Sequence, residues 1–271
     1  MGGQTERVSV VLPTWNRAAT LPRAIRSVLD QTHGALELIV VDDGSTDATR
    51  EVVAALAEPR LRYLPFERNR GQAAARNAGI AASTADLVAF QDSDDIWMPE
   101  KLARQLEALR ARPDLAGVYG DLRRHQADGQ VFVIIAPDLA PGRYFDRRPS
   151  LYQTFGLGIQ SCLLRRTALA AAGGFREDMR CYEDLELLLR LAREHRLQRI
   201  PLVLVDYIES ATSVSKNGEE DRRARAMLLR LYGFRAAASR PKAFWRELKW
   251  SLGPSPVSGL RRFLRPREAL G

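Results

Sequence analysis

Residues 86–98 read Asp-Leu-Val-Ala-Phe-Gln-Asp-Ser-Asp-Asp-Ile-Trp-Met, an apolar run that leads directly into the carboxylates of Asp92, Asp94 and Asp95. Crowded carboxylates repel one another and resist burial, so a strand that ends in them needs a cation or a strongly solvated rim. An Asp-x-Asp pair offers the hard oxygen ligands that Mg²⁺ and Mn²⁺ prefer, and it leaves ligand positions open for phosphate. The alternative at this point is an acidic helix cap, because Asp is favoured there and Pro99 suits a first helical turn.

The chain before this stretch alternates short apolar runs with segments of helical spacing. Strands are predicted at 8–12, 36–41, 61–64 and 86–90. Helices are predicted between them, the last being an Ala-rich segment at 71–83. The order β-α-β-α-β-α-β with short connections predicts an α/β fold with a mostly parallel central sheet and right-handed crossovers.

Three of the predicted strands end in conspicuous polar groups. These are Thr14, Trp15, Asn16 and Arg17 after the first strand, Asp42 and Asp43 at the end of the second, and the acidic cluster after the fourth. Ligands of such sheets bind beyond the carboxyl ends of the strands, so we expect the three groups at one rim. The sequence lacks Gly-x-Gly-x-x-Gly after the first strand and lacks Gly-x-x-x-x-Gly-Lys-Ser/Thr altogether, which argues against a dinucleotide dehydrogenase and a P-loop enzyme.

The second half of the sequence is less regular. Strands are predicted at 116–119, 131–135 and 159–165, and a short helix near 152–158. A hairpin-type turn at Asp128-Gly129 joins the first two of these strands. A strong helix is predicted at 182–195, and Glu183 and Asp184 fall in its first turn, where the helix dipole favours negative charge.

The bulk composition is that of a globular protein. The 271 residues are 45% hydrophobic and 27% charged, and no apolar stretch reaches the roughly 18–20 residues of a membrane span. Residues 1–7 lack the apolar core of a signal peptide, so we interpret the protein as cytoplasmic. Cys162 and Cys181 lack metal-ligand spacing, and we interpret them as buried small residues in a reducing compartment.

The net charge of +8 is unevenly distributed. Residues 222–271 contain 13 Lys or Arg and two Glu, a net charge of +11, which leaves −3 for the first 221 residues. Trp and Phe lie between the basic residues of this tail, a pattern that suits peripheral contact with an anionic membrane surface. The alternative is ordinary packing helices with solvated Arg side chains. Nucleic acid is not an expected partner, because no base-reading motif is present.

Five motifs in order and at matching spacing resemble the family 2 inverting glycosyltransferases, which have the GT-A fold. They are Val-Ser-Val-Val-Leu-Pro-Thr-Trp-Asn-Arg (8–17), Leu-Ile-Val-Val-Asp-Asp-Gly-Ser-Thr-Asp (38–47), Gly-Gln-Ala-Ala-Ala-Arg-Asn-Ala-Gly (71–79), Phe-Gln-Asp-Ser-Asp-Asp (90–95) and Tyr-Glu-Asp-Leu-Glu-Leu (182–187). The resemblance covers about residues 7–215. It implies one Rossmann-like GT-A domain at 1–215, with a nucleotide-binding part at 7–112, an acceptor-binding part at 113–215 and a basic amphipathic helical tail at 216–271.

The resemblance also implies an activity. A sugar would pass from a nucleoside diphosphate sugar, with UDP as the default nucleotide, to an acceptor hydroxyl, with inversion in a single displacement. The acceptor would be a glycan or a lipid-linked sugar, as in the synthesis of cell-envelope polysaccharide, glycolipid or glycoprotein glycan. Peripheral contact at the inner face of the membrane would bring the enzyme to a lipid-linked acceptor.

On the nucleotide side, the resemblance assigns roles by position. The loop that wraps the nucleoside is matched by Pro13, Thr14, Trp15 and Asn16, and the carboxylate that bonds the base edge by Asp43. Arg76 matches a basic residue near the base or the diphosphate, with a solvated helix face as the alternative. Asp92, with Ser93 beside it, matches an acid near the ribose and the metal, and Asp94 matches the ligand of a divalent Mn²⁺ or Mg²⁺ ion.

On the acceptor side, Asp184 matches the general base and Glu183 its neighbour. The chemistry makes a similar demand, because the attacking hydroxyl must lose a proton and a metal-bound carboxylate is a poor base. One departure is that the family often shows Tyr-Arg-x-His-x-x-Ser-x-Ser, whereas 207–215 read Tyr-Ile-Glu-Ser-Ala-Thr-Ser-Val-Ser. A flexible closing loop is the plain interpretation of that stretch, in which Ser213, Ser215 or Lys216 could replace the missing His.

The missing Arg and His keep a second hypothesis open, a nucleotide-sugar-binding protein that has lost catalysis. A sugar-1-phosphate nucleotidyltransferase is disfavoured, because no Gly-rich triphosphate loop with a basic residue follows the first strand.

Overall fold

The computed structural model of the protein describes residues 6–139, 156–209 and 218–233. Within these ranges the chain forms a mixed α/β domain around a nine-stranded sheet. Residues 152–155 of the predicted short helix, the candidate His substitutes at 213–216, and the tail beyond residue 233 lie outside the described residues. The α/β fold class predicted from the sequence is confirmed.

The strands of the described residues are β1 (Val8–Thr14), β2 (Leu36–Asp42), β3 (Leu61–Pro65), β4 (Leu87–Phe90), β5 (Ile96–Trp97), β6 (Gly117–His125), β7 (Val131–Ile134), β8 (Leu163–Arg165) and β9 (Leu197–Ile208). Their order is β3-β2-β1-β4-β8-β6-β9-β5, with β7 paired to β6. The strands β1 to β4 are parallel, as predicted. The later strands enter in both directions, since β8, β7 and β5 pair antiparallel, and the whole sheet is therefore mixed.

The described helices are α1 (Leu21–Leu29), α2 (Thr49–Ala54), α3 (Gln72–Ala82), α4 (Lys101–Ala111), α5 (Arg166–Ala172), α6 (Glu183–Glu194) and α7 (Gly218–Leu228). Their apolar faces cover both sides of the sheet in two core clusters. This arrangement explains why β1, β2 and β4 are continuous apolar runs, because strands buried on both faces have no solvent side.

Helix α3 lies close against β1. A Cβ atom at Gly79 would stand 2.2 Å from Cγ1 of Val11, so only glycine permits this approach. The neighbouring turn of the helix buries the small side chains of Ala73, Ala74 and Ala75. The close contact fixes the distance of α3 from the strands whose ends carry the polar groups.

The three polar groups meet at one edge of the sheet. Thr14 is paired with Asp42 in the β1–β2 register, and the backbone N–H of Asp43 donates to the carbonyl of Thr14 at 2.8 Å. Across β1, the N–H of Gln91 donates to the carbonyl of Val11 at 3.0 Å. The prediction of a shared rim is confirmed.

Several predictions for the second half need correction. The strand expected at 159–165 begins as a 3₁₀ turn at Ile159–Ser161, and the helix Arg166–Ala172 and the strands β5 and β9 were not predicted. Strand β9 has no continuous apolar run by which it could be recognised in the sequence, because Gln198, Arg199 and Pro201 interrupt it. The turn at Asp128-Gly129 is present, with Gly129 at a φ of 82°.

Helix α7 and the helical turn Leu229–Gly233 lie in the segment predicted as tail, and they pack onto α6. The hydroxyl of Tyr182 donates to Asp221 at 2.5 Å, and Asp221 is ion-paired with Arg225 at 2.5 Å, both being about 1% exposed. Tyr232 donates to Glu186 at 2.9 Å. Among the described residues, none of the helices has the length and apolar character to cross a membrane.

Candidate active site

The loop after β1 is held against the loop after β2. The backbone N–H of Asn16 donates to Ser45 at 2.8 Å, and the Asn16 side chain accepts from the N–H of Thr46 at 2.7 Å. Asn16 has a φ of 52°, a left-handed conformation that Asn tolerates well. Pro13 and Thr14 are buried, whereas Trp15 is 51% exposed and offers an aromatic face at the rim.

Asp43 is buried at the end of β2. Its carboxylate accepts the backbone N–H groups of Arg70 at 2.6 Å and Gly71 at 2.8 Å. Burial raises the pKa of Asp43, and the two N–H donors and the charge of Arg180 oppose that rise. Each carboxylate oxygen has a second lone-pair site, so this fixed acceptor can still bind a ligand N–H. The neighbouring Asp42 bonds Ser45 and Tyr63 instead.

The acidic cluster divides into three differently held carboxylates. Asp92 accepts from Arg76 at 2.8 Å, and Asp94 is ion-paired with Arg17 at 3.3 Å. Asp95 is fully buried and accepts from the N–H of Ile208 at 2.9 Å and from Gln160 at 3.1 Å. The alternative of Asp95 as the cap of α4 is therefore wrong, because its carboxylate anchors the end of β9. Ser93, between the first two acids, is also buried.

Burial sets the protonation tendencies of the cluster. It raises the pKa of Asp94, an effect that the charge of Asp92 reinforces and that of Arg17 opposes. For the completely enclosed Asp95, burial and the charges of Asp92 and Asp94 raise the pKa strongly. Asp94, partly exposed and beside a cation, is the better placed of the two to bind a ligand as an anion.

Arg76 connects the acidic cluster to the first turn of α6. Its guanidinium donates to Asp92 at 2.8 Å and to Glu183 at 2.6 Å, and it lies over the Phe175 ring at 5.3 Å. The side chain is only 2% exposed. The alternative of a solvated helix face at Arg76 is therefore wrong. A buried guanidinium with a carboxylate on each side is a rigid bridge between the two parts of the site.

Glu183 and Asp184 begin α6 directly after Tyr182, which has a φ of 59°. Burial raises the pKa of both carboxyl groups, and the charge of Arg76 opposes the rise in each. Glu183 is tied to Arg76, whereas Asp184 is partly exposed and accepts the N–H of Leu185 at 2.7 Å. Asp184 is therefore the carboxylate of this pair that a ligand can reach.

The side chains at the rim can be compared with the ligands that a divalent metal ion requires. Within the described residues, no group of three His, Cys, Asp or Glu side chains is arranged to hold a metal ion. Asp92 and Asp94 nevertheless provide two hard oxygen donors at the rim. Mg²⁺ commonly binds through one or two carboxylates together with substrate phosphates and water. The residues fit an ion that arrives with a diphosphate, and they do not form a complete metal cage by themselves.

Two arginines lie near the acids: Arg17, which the sequence predicts at this rim without a role, and Arg23, which it does not single out. Arg17 pairs with the side chain of Asp94, and Arg23 donates to the backbone carbonyl of Asp94 at 3.2 Å. Arg17 carries a sequence signal, since it ends the first motif at the end of a strand. Arg23 carries none, because its position in α1 resembles any exposed helical arginine.

Comparisons with known proteins fit this geometry. Residues 9–173 match the family model described as Glycosyl transferase family 2. The UDP-Glc:alpha-D-GlcNAc-diphosphoundecaprenol beta-1,3-glucosyltransferase WfgD of Escherichia coli is 30% identical over 212 residues, which cover 78% of this chain and 80% of WfgD. The succinoglycan biosynthesis protein ExoO of Rhizobium meliloti is 46% identical over 110 residues, 41% of this chain. The chain spans only 30% of ExoO and 35% of a similar uncharacterised glycosyltransferase of Nostoc sp..

Solved structures share the fold at low sequence identity. The crystal structure of Staphylococcus aureus TarS 1–349 with UDP-GlcNAc has a TM-score of 0.67 and 19% identity, and the match covers 94% of this chain and 75% of that one. The mannosyltransferase PcManGT of Pyrobaculum calidifontis, in complex with GDP-Man and Mn²⁺, has a TM-score of 0.63 and 20% identity, with coverage of 96% and 79%.

Proposed function

The chain belongs to glycosyltransferase family 2, and from this membership we propose that it transfers a sugar from a nucleoside diphosphate sugar to an acceptor hydroxyl. The observation that carries the proposal is the buried Arg76 bridge, which joins Asp92 at the end of β4 to Glu183 beside Asp184. A sugar transferase needs a donor-binding carboxylate and a separate base on opposite sides of the reacting sugar. The bridge holds Asp92 and Glu183, the neighbour of Asp184, at a fixed separation, which supports the assignment of a donor carboxylate and a base to the two parts of one site.

Donor binding would use the rim of the parallel strands. We assign the nucleoside to the loop 13–16 and to Asp43, whose carboxylate is already oriented by two backbone N–H groups. The leaving diphosphate gains negative charge as the sugar departs. We assign Arg17 and Arg23, both held at Asp94 on the β1 side, to the stabilisation of that charge. When bound at Asp92 and Asp94, a Mn²⁺ or Mg²⁺ ion supplies Lewis-acid stabilisation of the same charge.

Asp184 would act as the base. The acceptor hydroxyl donates to its carboxylate and transfers its proton as the oxygen attacks the anomeric carbon, and an attack opposite the leaving group gives inversion. Ion pairing with Arg76 keeps Glu183 occupied, so the proton goes to Asp184. Because burial raises the pKa of Asp184, its carboxylate is a stronger base than an exposed aspartate.

The acceptor proposal rests on the relatives. WfgD acts, by its name, on a diphosphoundecaprenol-linked sugar, and ExoO is named for the biosynthesis of a polysaccharide. We assign this chain an acceptor of that class, the hydroxyl of a glycan or a lipid-linked sugar. We assign UDP as the donor nucleotide, because WfgD is named for a UDP-sugar and TarS was crystallised with UDP-GlcNAc.

The test compares Asp184→Asn and Asp94→Ala with Asp86→Ala, whose side chain is 94% exposed and lies outside the site. We expect Asp184→Asn to lose turnover, about 10²-fold or more as for other proton-transfer groups, while nucleotide affinity stays unchanged. We expect Asp94→Ala to lose both turnover and metal-dependent nucleotide binding. Released nucleotide and calorimetric binding are measured with Mn²⁺ across a panel of nucleotide sugars and acceptors.

The outcomes separate the hypotheses. Full turnover in Asp184→Asn would refute the assignment of the base. Nucleotide binding without transfer or donor hydrolysis in the unmodified protein would favour the second candidate, a nucleotide-sugar-binding protein without catalysis. The observation behind that candidate is that Arg17 is ion-paired with Asp94, where the transferase hypothesis puts a metal ion.

A further inference from the structure

Arg180 comes from the acceptor half of the chain and lies on the nucleotide side of the site. Its Nη1 atom would stand 2.8 Å from a Cβ at Gly71, and its Cζ 3.5 Å away, so the guanidinium covers the glycine that precedes α3. The same glycine donates its backbone N–H to Asp43. The charge of Arg180 acts on Asp43, whose pKa it lowers. Arg180 is exposed, and it makes no hydrogen bond or ion pair with another described residue.

The segment 173–182 is fixed in this position by its contacts with α3. Asn77 donates to the carbonyl of Phe175 at 2.9 Å and accepts the N–H of Phe175 at 2.8 Å. Asn77 also donates to Glu177 at 3.0 Å. The Phe175 ring packs edge-on against Phe90, with centroids 5.4 Å apart. Arg180 is therefore the solvent-facing end of a segment that is bound to α3 over several residues.

A hydrogen-bond acceptor and a hydrogen-bond donor, both next to Gly71, can distinguish nucleobases. Asp43 offers carboxylate lone pairs, and Arg180 offers planar N–H donors that can also stack on a ring. Uracil and guanine present a ring N–H beside a carbonyl oxygen, which matches this order of acceptor and donor. Cytosine and adenine present an unprotonated ring nitrogen beside an amino group. In the same position they would place a lone pair against Asp43 and N–H groups against Arg180. A mismatched base would place a lone pair against the buried carboxylate of Asp43 where an N–H donor is needed, and a buried polar group without its partner is a strong source of discrimination.

We propose that Arg180 is a specificity-determining residue that, with Asp43, selects nucleoside diphosphates whose base carries an N–H beside a carbonyl oxygen. The proposal rests on the proposed function, since it requires a nucleotide at this rim. It adds a contact from the segment that leads into α6, outside the motifs that predicted the nucleotide site. Arg180 lies three positions before Glu183, so the residue that reads the base and the Glu183–Asp184 pair assigned to proton transfer belong to one continuous segment.

The experiment measures the affinity of the full chain for UDP, GDP, CDP and ADP by calorimetry with Mn²⁺. The variants are Arg180→Ala, Arg180→Lys and the control Arg193→Ala, an exposed arginine at the far end of α6. We expect Arg180→Ala to weaken UDP or GDP binding by about tenfold or more and to leave CDP and ADP unchanged. Arg180→Lys keeps the charge without the planar donor pair, and we expect it to lose the same discrimination.

Two results would overturn the proposal. One is UDP and GDP affinity in Arg180→Ala equal to that of the unmodified protein. Another is an equal loss of affinity for all four nucleotides in an Arg180→Ala protein whose melting temperature is unchanged. Arg180 would then contribute only its positive charge and would not distinguish the bases. A failure of the unmodified protein to bind any of the four would instead refute the proposed function itself, so the two failures are distinguishable.

Discussion

The guanidinium of Arg76 lies between Asp92, which we assign to donor binding, and Glu183, the neighbour of the proposed base Asp184. Its charge opposes the burial-induced rise in the pKa of Asp184 as well as that of Glu183. Without it, both carboxyl groups would hold their protons to higher pH. In the proposed reaction, Arg76 would therefore lower the pH at which Asp184 can accept a proton.

We predict that Arg76→Gln moves the acidic limb of the kcat profile to higher pH, because only the deprotonated base accepts a proton and its pKa rises. The variant should also lose stability by about 3–5 kcal/mol, since it leaves buried carboxylates unpaired. Arg76→Lys should restore part of both effects. Turnover from pH 5 to 9 at saturating donor and urea denaturation are the measurements.

The control for Arg76 is Arg62→Gln, which removes an arginine that pairs with Glu37 away from the site. Its pH profile should coincide with that of the unmodified protein. A lower kcat in Arg76→Gln without a moved acidic limb would contradict the pKa role and would leave Arg76 a purely structural residue.

Sequence patterns predicted which residues gather at the rim, and they could not predict how each one is held. The spacing of Asp92 and Asp94 is visible in the sequence, but the Arg17 and Arg76 partners depend on tertiary contacts. The burial of Lys101 is equally invisible, because a lysine at a helix start usually faces water. Its ammonium donates to Gln105 at 2.9 Å, and burial lowers its pKa to about 7.

At the scale of elements, the approach of α3 to β1 determines where Arg76 lies. We predict that Gly79→Ala destabilises the protein by about 1–3 kcal/mol, because the added Cβ overlaps the side chain of Val11. This exceeds the roughly 0.5–1 kcal/mol that a helix gains when alanine replaces glycine. Thermal and urea denaturation measure the change.

Gly34→Ala is the matched control for Gly79, because a Cβ at Gly34 meets no atom within 4 Å. The double variant Val11→Ala with Gly79→Ala should recover part of the loss, since the smaller side chain makes room. A neutral effect of Gly79→Ala alone would show that α3 can move away from β1 without penalty.

The elements that the sequence predicted well are those with continuous apolar runs or clear helical spacing. The strands β1, β2 and β4 are buried on both faces, so their pattern leaves no ambiguity. Strand β9 was missed because it pairs with β6 while carrying Gln198, Arg199 and Pro201, and its pairing shifts register at a bulge. Long-range strand pairing of this kind is a tertiary property that local patterns do not contain.

At the scale of the whole molecule, charge is segregated along the chain. The first 221 residues carry −3 and residues 222–271 carry +11, with Trp and Phe among the basic residues. We propose that this C-terminal stretch brings the domain of residues 1–215 to the inner face of an anionic membrane, near a lipid-linked acceptor. A basic segment gains about 1 kcal/mol for each Lys or Arg near such a surface.

The prediction is that deletion of residues 241–271 abolishes sedimentation with phosphatidylglycerol vesicles. Binding of the full chain should fall steeply as salt rises, and vesicles of phosphatidylcholine alone should bind little. Unchanged sedimentation of the deleted chain would reject the proposal. The deletion begins eight positions after Gly233, the last residue of the described turn, so it leaves α7 and its contacts with α6 in place.

The Arg76 bridge has a consequence for how this site can change in evolution. Glu183 is 107 positions away from Arg76 in the sequence. Glu183 and Asp92 both depend on the buried guanidinium of Arg76. Substitution of Arg76 leaves Asp92 and Glu183 without their shared cation, and substitution of either carboxylate removes one of the two acceptors of the buried guanidinium. The path to a different set of partners therefore passes through a less stable protein. Among relatives, positions 76, 92 and 183 are therefore expected to covary as a triplet, and a donor site transplanted from another transferase should work only when all three come with it.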